Sequence, residues 1–145
     1  VTGSVKLGEE QKPDLSAHIA ELISMGDLQA AEVELDKALQ VEPNDEQLIS
    51  MKRQIQLMKR MGGADLQQSL EIESDDPDQL RIKSDALLVH GDAQKALDTL
   101  LDRFISATHE DKEKLRNHVL ELFELIGNSD PLVLKARARL ASLLF

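Results

Sequence analysis

The chain has 145 residues, with 27 acidic and 17 Lys or Arg side chains, a formal net charge of −10, three Phe and no Cys, Trp or Tyr. The missing cysteine excludes disulfides, thiol nucleophiles and thiolate metal sites. The missing apolar run of about 18 residues excludes a transmembrane helix, and the acid excess removes the basic face that nucleic-acid binding needs. What remains for an interior is Leu, Ile, Val, Ala and Met, which suits a helical protein, and the length suits one domain with a core of its own.

The charge is unevenly spread. Residues 1–45 set three bases against ten acids, for a net of −7, whereas residues 109–145 balance six against six. The first residues mix Gly, Ser and charges and lack the apolar core of a signal peptide. Residues 1–12 are therefore read as a linker or terminal remnant, and 13–145 as the folded repeat domain.

Helix one is predicted from Pro13 to Met25, with Pro13 in the first turn, where its missing N–H costs nothing. Leu15, Ile19 and Leu22 form its apolar stripe. Gly26 can take the left-handed conformation that ends a helix, and Asp27 can cap the next one by accepting backbone N–H bonds. Helix two then runs to Glu42, with Leu28, Ala31, Leu35, Ala38 and Leu39 at helical spacing. It ends before Pro43, because a residue preceding proline is pushed out of the α region. A small residue at Ala31 lets two antiparallel helices approach closely.

Asn44 is predicted to cap helix three, with Gln47 completing a capping box. Leu48, Met51, Ile55 and Met58 are its stripe, and Gly62–Gly63 its stop. A short helical segment around Leu66 and Leu70 follows. Asp76-Pro77-Asp78-Gln79 opens the next helix with a cap, a first-turn proline and a glutamine able to reach back. The last pair runs from about Glu110 to Ile126 and from Pro131 to Phe145, with Gly127 as stop and Asp130 as cap. Leu115, Val119, Leu122 and Ile126 make one stripe. The final helix confines Lys135, Arg139 and Ser142 to a narrow face, read as solvated, and is otherwise apolar apart from Arg137, which calls for more than one neighbour.

An internal repeat links the two ends of the chain. A shift of 65 residues places Leu15 on Leu80, Leu22 on Leu87, Ile23 on Leu88, Gly26 on Gly91, Asp27 on Asp92, Ala31 on Ala96 and Leu35 on Leu100. The second copy departs where Arg103 stands for Ala38 and Thr108 for Pro43. Gly26, Ala31 and Pro43 at these separations resemble the tetratricopeptide pattern, a helix–turn–helix repeat of about 34 residues, with aliphatic residues at its aromatic positions. An offset of 65 leaves room for a shortened middle repeat. The expected fold is all-α: stacked helix–turn–helix repeats forming an α-solenoid, right-handed and with a concave inner surface.

The first helix of each pair faces the groove in such folds, which puts Ser16, Ala20, Ile23, Ile49, Arg53, Leu57, Arg81, Asp85 and Leu88 along it. From these, the candidate partner-binding residues are Ile49, Arg53, Leu57, Arg81, Asp85 and Leu88, joined by Leu143, Leu144 and Phe145 at the apolar tail. That tail either folds under to complete the core or docks on a partner. The groove lacks the lysine and asparagine array with which tetratricopeptide domains clamp acidic tails of eukaryotic chaperones.

The remaining polar residues point to no chemistry. His118 and Glu121 could share a helix face, but a metal site wants three or four convergent ligands. Asp75–Asp76 reads as a cap rather than an acid–base pair, and Gly62–Gly63 lacks the lysine of a phosphate loop. No catalytic residue, metal or cofactor is expected, and the chain is read as a non-enzyme.

The C-terminal run Leu120-Glu-Leu-Phe-Glu-Leu-Ile-Gly127-Asn-Ser-Asp-Pro131-Leu-Val, with Ala136-Arg-Ala-Arg-Leu-Ala-Ser-Leu-Leu-Phe145, resembles the close of bacterial thioredoxin-like proteins of the YbbN, or co-chaperedoxin, type. Asp76 to Phe145 carries that resemblance. It implies the repeat region of a cytoplasmic chaperone that holds unfolding clients and works with a GroEL-type chaperonin. The chain has neither a thioredoxin domain nor a cysteine, so the parent's redox chemistry is not implied. Expected partners are unfolding clients, the chaperonin or the parent's thioredoxin domain, with no nucleic acid and no membrane. A structural or oligomerising repeat domain is the alternative.

Overall fold

A computed structural model describes residues 15–144. Among these every regular element is a helix: α1 over 15–24, α2 (Leu28–Val41), α3 (Glu46–Met61), α4 (Leu66–Leu70), α5 (Pro77–Val89), α6 (Ala93–Phe104), α7 (His109–Ile126) and α8 (Pro131–Leu144). The predictions for Pro13 and Phe145 lie outside the described residues. The chain divides into two compact units, residues 1–59 and 60–145, with Arg60 and Met61 at the end of α3 belonging to the second.

In the first unit, α1, α2 and α3 share one core, built by Ile19 and Ile23, by Ala31, Leu35 and Ala38, and by Leu48, Met51 and Ile55. Ala31 and Leu35 are fully buried. The α1–α2 turn follows from two residues. Gly26 sits at φ +81°, where a Cβ is disfavoured. Its N–H reaches the Ile23 carbonyl while the Asp27 N–H reaches that of Leu22, both at 3.0 Å, the bonding of a Schellman ending. The Asp27 carboxylate then accepts from the Ala30 N–H at 3.2 Å and starts α2. One residue closes one helix and opens the next.

Three predictions here need correction. Leu15 is 38% exposed rather than buried in the stripe, and Ile23, assigned to the groove, belongs to the core. The α3 cap is Asp45, whose Oδ1 accepts from Leu48 N–H at 3.0 Å. With the cap one residue later than Asn44, Gln47 falls short of the third helical position that a capping box requires.

In the second unit α5 packs on α4, α6 and α7, and α6 on α7 and α8. Leu80, Leu87, Leu97, Leu100, Leu101, Phe104, Leu115, Val119, Leu122, Phe123, Val133 and Leu140 form its core. The α5–α6 turn repeats the first hairpin bond for bond: Gly91 at φ +92° donates to Leu88, Asp92 to Leu87, and the Asp92 side chain caps α6 through Lys95 N–H. Asp76 caps α5 through Gln79 N–H, but its own N–H goes to Ser74 Oγ at 3.0 Å, so the predicted reach-back of Gln79 is not used. Where the first copy has Pro43, Thr108 accepts from Asp111 N–H and caps α7. A third copy of the small-then-large pair appears in α8, where Ala136 and Leu140 are buried at the spacing of Ala31–Leu35 and Ala96–Leu100.

Candidate partner-binding surfaces

The predicted binding residues separate by unit and by burial. In the first unit Ile49 and Arg53 are half-buried on α3, while Leu57 is 8% exposed. In the second, Arg81 is half-buried, Leu88 packs against the core, and Asp85 is 3% exposed. Leu57 and Asp85 are thus the two buried members of the predicted set.

Asp85 is buried because it belongs to a cluster of charges between α5, α7 and the end of α3. The Arg60 guanidinium donates to both Asp85 oxygens, at 3.1 and 3.3 Å, and through Nη1 to Glu121 Oε2. Such a forked arginine satisfies two carboxylates with fixed geometry. Arg81 stands 3.8 Å from the same Glu121 oxygen. His118 on α7 points Nε2 at Asp78 Oδ1, 3.4 Å away on α5, and Nδ1 lies 3.7 Å from Glu121 Oε1. Lys114 adds a contact to Asp78 at 3.7 Å. Burial pushes the Asp85 carboxyl above the usual carboxylate range, with Arg60 opposing the shift. His118 and Glu121 do share a helix face, as their spacing implied. No group of three or more His, Cys, Asp or Glu among the described residues could hold a metal ion.

Arg60 escaped the sequence reading. Its signal was its position seven residues, two helical turns, after Arg53. That spacing carries the same face onward, past the last residue assigned to the groove.

At the tail, Leu143 is half-buried against the second core and Leu144 is 44% exposed. Phe145 is outside the described residues. The basic residues of α8 are not simply solvated: Arg139 donates to Asp98 and Asp102 of α6 at 3.2 and 2.6 Å. Arg137 lies over the Phe123 ring, 4.8 Å from its centroid, and bonds Asn128.

Paired antiparallel helices, glycine-ended turns and a recurring buried alanine define a protein of helical-hairpin repeats. Residues 56–145 match the family model of the tetratricopeptide repeat, and the chain belongs to that family. Its members generally act as protein–protein interaction modules. No curated protein and no solved structure matches the chain.

Proposed function

We propose that this chain is the protein-interaction module of a thioredoxin-like chaperone of the co-chaperedoxin type, holding unfolding clients or engaging a GroEL-type chaperonin in the cytoplasm. The observation that carries this reading is the C-terminal run from Leu120 to Phe145, which resembles that family and falls inside the tetratricopeptide match. The parent's thioredoxin domain is a third possible occupant of the same module. A structural or oligomerising role is the second reading, favoured by Leu134 and Leu144, which stand 57% and 44% exposed on α8.

Two measurements separate them. The chaperone reading expects the chain to suppress light scattering by a chemically unfolded model client at near-stoichiometric ratio and to retain a purified chaperonin on beads. The oligomer reading expects a molar mass that rises with concentration and neither of those activities. A monomer without client or chaperonin binding overturns both.

A further inference from the structure

One exposed strip of α8 is apolar, where the solvent side of a helix is ordinarily polar. Leu134, Ala138, Ala141 and Leu144 are exposed on it at helical spacing. The corresponding side of α6 carries Leu97, Leu101 and Phe104, each about 1% exposed because the following helices cover them. By the register that pairs Ala96 with Ala136 and Leu100 with Leu140, the same positions on α8 are Arg137, Ala141 and Leu144. Of the covered α6 set, only Leu101 and Phe104 have apolar counterparts on α8, Ala141 and Leu144, and these are exposed among the described residues.

This face runs into a pocket of about 320 Å³ at the end of α8. Its apolar part is Phe104, Leu143 and Leu144, and its α7 wall carries His109, Lys112 and Arg116, with Glu113 beside them. Lys112 lies over the Phe104 ring, 5.5 Å from the centroid. Among the described residues neither Lys112 nor Arg116 holds a carboxylate. That is notable in a chain with 27 acids for 17 bases. On α8 itself, Lys135, Arg137 and Arg139 face no acid of their own helix, and only Arg139 is neutralised, by α6.

We infer that the outer face of α8 and the adjoining pocket form a docking site for an acidic amphipathic helix of a partner protein. Its apolar ridge lies along Leu134, Ala138, Ala141 and Leu144, one large side chain enters the pocket, and its flanking carboxylates meet Lys112, Arg116 and Lys135. The volume suits one such anchor, and helix-in-groove recognition uses apolar anchors at this spacing. Unpaired cations beside the ridge select against a second copy of α8, which would bring arginine and lysine against their like. The inference rests on the interaction-module reading but not on the chaperone one. Loss of client holding with helix binding intact would strike only the latter.

The test uses the whole chain and a designed helix of about four turns, leucine on one face and glutamate on both flanks. Fluorescence anisotropy is expected to give a Kd on the order of 10 μM, weakening as salt rises. The same helix with lysine for glutamate should bind at least tenfold more weakly. K112E/R116E and, separately, L144E should each weaken the acidic helix at least tenfold while the helical circular dichroism and melting temperature stay near wild type. K37E, at an exposed position on α2, should leave binding unchanged. Equal binding of the acidic and basic helices, indifference to L144E, or no binding of either helix overturns the inference. So does concentration-dependent dimerisation abolished by L144E, which assigns the face to a second copy, or capture by anionic phosphatidylglycerol vesicles in preference to the peptide.

Discussion

The hairpins α1–α2 and α5–α6 have the same turn and different surroundings. Both put a glycine at positive φ, both let one aspartate finish one helix and begin the next, and both bury an alanine and a leucine four residues later. In the first, the partner position on α2 is polar: Glu32 and Asp36 meet Lys59 and Lys52 of α3 at 3.0 and 3.7 Å. In the second, the equivalent residues are Leu97 and Leu101, both sunk in the core. A turn can therefore be copied along a chain while the contact between repeats is rewritten from exposed ion pairs, each worth little, to apolar burial, worth considerably more.

Cavity-making substitutions test this contrast most strongly. Leu35→Ala and Leu100→Ala both delete a fully buried side chain, and expected losses are about 3 and about 4 kcal/mol, larger where more helices hold the cavity open. Chemical denaturation measures both. Losses below about 0.5 kcal/mol at both sites would show that the repeat alignment is wrong.

Arg60→Ala probes the buried charge cluster of the second unit. It strands the Asp85 carboxylate in the interior, and a loss of about 3 kcal/mol is expected. Arg60→Met, which keeps the apolar stem, should lose nearly as much. Recovery of wild-type stability in the methionine variant would assign the effect to packing instead.

The two turns should respond alike. Gly26→Ala and Gly91→Ala meet no atom within 4 Å of the new Cβ. Only the left-handed backbone is strained, by about 1 kcal/mol at each site. Unequal losses would mean that the surroundings reach into the turn.

The smallest effect is one of pH. The folded-state pKa of Asp85 lies above the ordinary 3.8, so the native state holds that proton more tightly than the unfolded chain does. Its contribution to stability is fully present below the ordinary carboxylate range and is lost as pH rises through the raised value. Asp85→Asn should flatten stability against pH in the mildly acidic region. An unchanged profile in the asparagine variant would remove Asp85 as its source.

Helix positions were readable because capping residues, glycines and apolar spacing act locally, so Asp27, Asp76, Asp92 and Gly127 could be placed before any packing was known. The errors came where competing groups sat side by side. Asp45 displaced Asn44 as a cap, and Ser74 took the Asp76 N–H that Gln79 was expected to meet. The binding surface was less legible because groove membership was taken from repeat register alone. Register cannot reveal that a carboxylate such as Asp85 is claimed by an arginine 25 residues earlier. The third Ala–Leu pair, Ala136 and Leu140, was open to view but does not lie at the 65-residue offset.

The shared aspartate has a consequence for how such a chain can change. With Asp27 or Asp92 serving two helices at once, neither turn contains a residue that could be duplicated or removed without uncapping one of them. Fraying of the earlier helix also withdraws the start of the later one, so the two ends breathe together. Between α4 and α5, by contrast, Glu71 ends one helix and Asp76 caps the next, so no residue serves both.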